Sequence, residues 1–139
     1  MSYVVARLER AVRRGIEEQL RPFGLTVPEF TTLSVLLRRT GMSNAQLARR
    51  SYITPQSMNV VVLELERKGL VERRTDPAHG RIRLASVTAK GRRLAIECEA
   101  AVAVIEEQML ADLNPSARER LLHELGTCVH ALGAGLPDL

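Results

Sequence analysis

Apolar side chains recur at three- and four-residue intervals from Val5 through Leu8, Val12, Ile16 and Leu20, with arginine and glutamate between them. That spacing puts them on one stripe and predicts an amphipathic helix of about five turns over residues 3–20. Arg21-Pro22-Phe23-Gly24 ends it. Thr26 with Glu29 has the form of a capping box with Pro28 in the first turn, and the helix it opens carries Phe30, Leu33, Leu36 and Leu37 as its buried stripe. Ser43 and Gln46 repeat the signature, so a short helix begins near Asn44 and runs to about Ser51. Thr54-Pro55 then opens another, with a hydroxyl at the N-cap and proline where a missing N–H costs nothing. Met58, Val61, Val62 and Leu65 keep helical spacing up to Gly69, which suits a left-handed C-cap. Helix, tight turn, helix is the expectation.

Past Gly69 the pattern changes. Leu70 to Thr75 and Arg81 to Val87 read as two short strands, joined by the turn-rich tip Asp76-Pro77-Ala78-His79-Gly80 into a hairpin, or wing. Thr88 is a fitting N-cap for a long helix from near Ala89 to Leu113, with Leu94, Cys98, Ala101, Val102, Ile105 and Met109 along one face. Asn114-Pro115-Ser116 interrupts it. A last helix carries Leu121, Leu122, Leu125, Cys128, Val129 and Leu132 and fades out in Gly133-Ala134-Gly135. The predicted fold class is mainly α, α+β: a winged helix-turn-helix over residues 24–93, with helices 1–23 and 94–139 flanking it as a dimerisation region in one continuous domain unit. The flanking helices hold more apolar surface than a small reading unit needs. Val5, Leu8, Val12, Leu121, Leu125, Val129 and Leu132 are therefore the candidate dimer contacts, against the simpler alternative that they close one monomer's core.

Charge sharpens this picture. The net +4 is unevenly spread: residues 1–48 hold 7 basic and 4 acidic side chains, residues 49–93 hold 11 and 4, and residues 94–139 hold 2 and 8. The excess of positive charge coincides with the helix-turn-helix and wing, which favours phosphate binding over an ordinary solvated face. Only two Phe and two Tyr are present, too few for stacking on single-stranded bases, so duplex DNA is the expected partner. Gln56, Ser57 and Asn59 fall on the polar side of the second helix near its start, where amide and hydroxyl groups can address base edges in a major groove. With the caps Ser43 and Thr54, and with Arg73, Arg74, His79, Arg81 and Arg83 of the wing, they make up the candidate DNA-binding set.

Other classes find little support. A length of 139 residues suits one domain, 45% hydrophobic and 26% charged residues are globular values, and no apolar run approaches a membrane span, so a cytoplasmic protein is expected. Cys98 and Cys128 lie far apart on helices with no partner ligand in sequence, which reads as two structural, reduced thiols. His123 and His130 are seven apart, neither HxxxH nor HExxH occurs, and no GxSxG or glycine-rich phosphate loop is present. Glu119 and Glu124 near His123 read as a solvated face rather than a metal site. No catalytic residue, metal or cofactor is expected.

The run Leu65-Glu66-Arg67-Lys68-Gly69-Leu70-Val71, the Asp76-Pro77 turn with Arg81 beyond it, and Val87-Thr88-Ala89-Lys90-Gly91 resemble the winged helix-turn-helix of MarR-type transcriptional regulators. The likeness extends over nearly the whole chain. It implies a homodimeric, sequence-specific regulator of transcription, most simply a repressor, whose DNA affinity responds to a small aromatic or phenolic effector between the dimer helices and the reading unit. A winged-helix module that binds a protein partner is the alternative. Two departures from the family pattern stand out: His79-Gly80-Arg81 lacks the carboxylate that often precedes the wing arginine, and Val60 stands where many relatives carry arginine. The peroxide-sensing branch has its reactive cysteine in the first helix, and this chain has none there.

Overall fold

The computed structural model describes residues 1–133. In chain order the elements are α1 (Ser2–Leu20), a single 3-10 turn (Arg21–Phe23), α2 (Val27–Arg38), β1 (Met42–Ser43), α3 (Asn44–Ser51), α4 (Pro55–Arg67), β2 (Val71–Thr75), β3 (Arg83–Val87), α5 (Ala89–Met109) and α6 (Pro115–Ala131). The mainly helical winged helix-turn-helix is as expected. The fade-out through Gly133-Ala134-Gly135 falls outside the described residues beyond Gly133.

Helix boundaries follow from local hydrogen bonding. Both capping boxes form: Thr26 Oγ1 accepts from Glu29 N while Glu29 Oε2 accepts from Thr26 N, and Ser43 Oγ with Gln46 Oε1 does the same at the start of α3. α4 ends where Gly69 takes a φ of 70°, a conformation that a side chain would strain. The long helix stops at Met109, four residues short of the expected Leu113. Asn114 precedes Pro115 and is held extended (ψ 163°), and Arg118 Nε donates to the Leu113 carbonyl, so the chain turns before it can add another helical turn.

β1 was not foreseen. Its two residues pair with β3, Met42 opposite Ala85 and Ser43 opposite Leu84, and among the described residues the sheet has the antiparallel order β1-β3-β2. Two residues give no alternation to read, and what makes them a strand is a partner more than forty positions away. β3 starts at Arg83 rather than Arg81, because Asp76 N bonds the Ile82 carbonyl and Ile82 N bonds the His79 carbonyl, closing residues 76–82 into a turn of their own.

Compaction divides the chain into Met1–Ala103 and a second unit from Val104 onward. α1 packs on α2, and Ala95 and Cys98 of α5 enter the same core as the helix-turn-helix, so the reading unit does not stand apart from the helices before and after it. That core is built from Leu20, Leu33, Leu36, Leu47, Met58, Val62, Leu65, Leu70 and Cys98, all at or near zero exposure. Burial of each large aliphatic side chain contributes about 1.5–3 kcal/mol. Gly91 fixes how closely α5 meets the wing: a Cβ there would lie 2.0 Å from the Leu70 carbonyl oxygen, an impossible contact. The second unit holds the last part of α5 and α6, joined by Arg118 Nη1 to Glu107 Oε2 at 3.2 Å, and none of α6's side chains is buried among the described residues.

Candidate nucleic-acid interface

The second helix of the helix-turn-helix, α4, is fixed on its inner side by Met58, Val62 and Leu65, all fully buried. The opposite face therefore points outward, and Gln56, Val60, Leu63 and Arg67 follow along it at intervals of four, three and four. Asn59 and Ser57 flank that line, both exposed. Thr54 caps the helix, its Oγ1 accepting from Ser57 N at 3.1 Å and donating to Ser57 Oγ at 2.9 Å. Ser43 and Thr54, both in the candidate set, cap the starts of α3 and α4.

Asn59 is oriented before any ligand arrives. Asn44 Nδ2 on α3 donates to Asn59 Oδ1 at 3.1 Å, which leaves the second lone pair of that oxygen and both amide hydrogens of Asn59 for an adenine edge. Asn44 is a residue that sequence reasoning missed. Its only signal is a polar side chain at the first position of α3, and its partner is fifteen residues away.

Ion pairs hold the far end of α4. Glu29 is 3% exposed, and its Oε1 accepts from Lys68 Nζ at 2.7 Å; the same ammonium donates to the Gly24 carbonyl at 2.9 Å. With its other oxygen in the capping box, the buried carboxylate has donors on both sides, which is what makes its burial tolerable. Lys90 Nζ donates to the Lys68 carbonyl and Thr88 Oγ1 to the Gly69 carbonyl, joining the end of α4 to α5 and its N-cap. Arg67 pairs with Glu64 one turn back and holds that carboxyl below its ordinary range.

In the wing the arginines part company. Arg73 is turned inward, its side chain 15% exposed, and Nη2 meets Glu66 Oε2 at 2.6 Å; the hydrogen bond keeps the Glu66 carboxyl below the usual range. Arg73, a member of the candidate set, thereby fastens the hairpin to α4. Arg83 reaches across the hairpin, Nη2 donating to the Arg73 carbonyl at 3.2 Å. Arg74 is exposed and pairs with Glu72 on the same strand face. At the tip Asp76 Oδ1 accepts from Ala78 N at 2.8 Å and Oδ2 lies 3.5 Å from His79 Nδ1, so this carboxylate closes the turn. Arg81 is exposed, and its side chain has no hydrogen bond or ion pair with any described residue.

The thiols also differ. Cys98 is buried, and desolvation, with Glu97 nearby, pushes its pKa up to about 11, which suppresses the reactive thiolate. Cys128 is exposed in the single chain and, like Cys98, is not in a disulfide.

A MarR family profile matches residues 23–82. The HTH-type transcriptional repressor Rv2887 of Mycobacterium tuberculosis is 40% identical over 130 residues, covering 91% of this chain and 94% of the relative. The chain belongs to the MarR family. Its likeness to that repressor carries into three dimensions: the crystal structure of M. tuberculosis Rv2887 in complex with DNA superposes with a TM-score of 0.75 at 36% identity, covering 91% of this chain and 97% of that one. The same mycobacterial protein has been crystallised with salicylic acid, TM-score 0.74 at 38% identity over 91% and 96% of the two chains. A MarR-family regulator from Rhodococcus sp. RHA1 shares the fold at 23% identity, TM-score 0.84, over 91% of each chain. As in the sequence, no helix among the described residues is long and apolar enough to cross a membrane.

Proposed function

We propose that this MarR-family protein is a homodimeric, cytoplasmic, sequence-specific DNA-binding repressor, with α4 in the major groove and the wing on the flanking backbone. One observation carries the reading: α4 presents Gln56, Ser57 and a pre-oriented Asn59 outward on a helix locked at both ends, while Arg81 at the wing tip is left unengaged. The amides address bases, Arg81 enters the minor groove or meets phosphate, and Arg74 adds charge beside it. His79 lies at the same tip, and Arg83 and Arg73 hold the hairpin in shape. Ser43 and Thr54 act through the helices they cap. The complex of the related mycobacterial repressor with DNA supports this reading.

Self-association follows from exposed apolar surface. Val5 and Leu8 on α1, Leu125 and Val129 on α6, and Leu132 just past its end are open to solvent, while Val12 and Leu121 are partly covered. A two-fold interface would bury these stripes and supply the paired reading helices that two half-sites require. A small aromatic acid or phenol is the effector class, supported by the salicylic acid complex of the same relative. The test is selection of duplexes from a random pool. A palindromic motif with half-sites about one helical turn apart is the expected result, and a pool that shows no enrichment refutes the function.

A further inference from the structure

Two side chains on the outward face of α4 have no part in the hydrogen-bonding scheme above. Val60 is 67% exposed and Leu63 45% exposed, and they lie between Gln56 and Arg67 on the same line. Scattered exposed aliphatics need no explanation, but an apolar step at the centre of a polar reading face does. Base edges in the major groove offer donors, acceptors and just one apolar group, the C5 methyl of thymine. Valine has no hydrogen-bonding atom and can recognise only that group. It is also stiff: in a helix a β-branched side chain occupies essentially one rotamer, so its methyls are already in place when the groove closes on them. Leu63 continues the apolar strip one turn further on. A protein partner is a poor fit, because two aliphatic side chains fall far short of the roughly 800 Å² per partner of a stable interface.

Building on the DNA reading of α4, we propose that Val60 is a specificity-determining residue that reads a thymine methyl in each half-site. The thymine belongs to a T·A pair next to the pair addressed by Gln56 or Asn59. A methyl withdrawn from water contributes about fourfold in affinity, or about fifteenfold when both half-sites are counted. Arginine at the same place would instead seek guanine O6 and N7, so Val60 directs this chain to a different operator.

The experiment replaces thymines one at a time by deoxyuridine in the duplex that the wild-type protein selects from a random pool. One thymine per half-site should weaken binding about fourfold when it loses its methyl, and about fifteenfold when both do. Val60→Ala should bind the unmodified duplex correspondingly less well and be indifferent to deoxyuridine at that position. Val60→Arg should select guanine there. The inference is overturned if every deoxyuridine duplex binds like the parent, or if Val60→Ala loses the same factor on thymine and deoxyuridine duplexes. A change in sedimentation of Val60→Ala would also overturn it, by placing the residue in a protein contact. Because Val60 is exposed, melting of the variant should match the wild type and separate recognition from folding. A wild-type protein that enriches no sequence would instead refute the DNA reading itself, a distinguishable failure.

Discussion

α4 and α6 begin in the same way and end in different surroundings. Thr54-Pro55 and Asn114-Pro115 each put a capping side chain before a proline, and the caps accept from Ser57 N and Ala117 N. Both helices carry apolar residues at three- and four-residue spacing. Yet α4 buries Met58, Val62 and Leu65 completely, whereas α6 buries nothing among the described residues and leaves Leu122 75% exposed. Periodicity tells that a helix has an apolar face; it does not tell what covers that face. For α4 the cover is α2 and α3 of the same chain, and for α6 it is the second protomer in the function proposed above.

Substitutions on the two stripes should therefore fail in different ways. The largest effect is expected from Leu125→Arg, which places a charge on each side of the two-fold contact: sedimentation equilibrium should show a monomer at micromolar concentration, with operator binding lost together with the dimer. Monomer stability should move by no more than about 0.5 kcal/mol, since Leu125 is already exposed. A variant that stays dimeric would remove α6 from the interface. Next comes Leu65→Ala on α4, expected to lower unfolding free energy by about 2–5 kcal/mol in denaturant titrations, by lost burial and the cavity left behind. If Leu65→Ala were no more costly than Leu125→Ala, the contrast between the helices would collapse.

A smaller effect concerns the buried thiol of α5. Cys98, with its folded pKa near 11 against a reference value of 9.0, keeps a proton that the unfolded chain loses in between. Its contribution is thus fully present below pH 9 and lost as pH rises toward 11. Cys98→Ala should flatten the fall in the urea midpoint over that window. Equal slopes in the variant and the wild type would contradict the burial account of Cys98.

The legible parts of this fold are those set by neighbours in sequence. Thr26 with Glu29 and Ser43 with Gln46 are contacts three residues apart, and the stop at Gly69 depends on one φ angle, so each could be read directly. What escaped depends on partners far along the chain. Met42 and Ser43 form a strand only because Ala85 and Leu84 are there; Glu29 is a cap by its own position but meets Lys68 only in the folded chain. The site divides on the same line. Gln56 and Asn59 follow from helical phase, whereas nothing local separates Arg73, which the packed Glu66 draws inward, from Arg81, which no described residue engages.

Base reading by α4 and backbone reading by the wing are separated by titrating Gln56→Ala, Asn59→Ala and Arg81→Ala against the selected operator and a scrambled duplex at several salt concentrations. The α4 variants should lose operator preference by roughly 1–3 kcal/mol for each bidentate contact and leave scrambled binding nearly unchanged. Arg81→Ala should weaken both duplexes alike and flatten the slope of log K against log salt by about two for a symmetric dimer. Equal weakening of both duplexes by Gln56→Ala and Asn59→Ala, or an Arg81→Ala defect confined to the operator, would contradict that division.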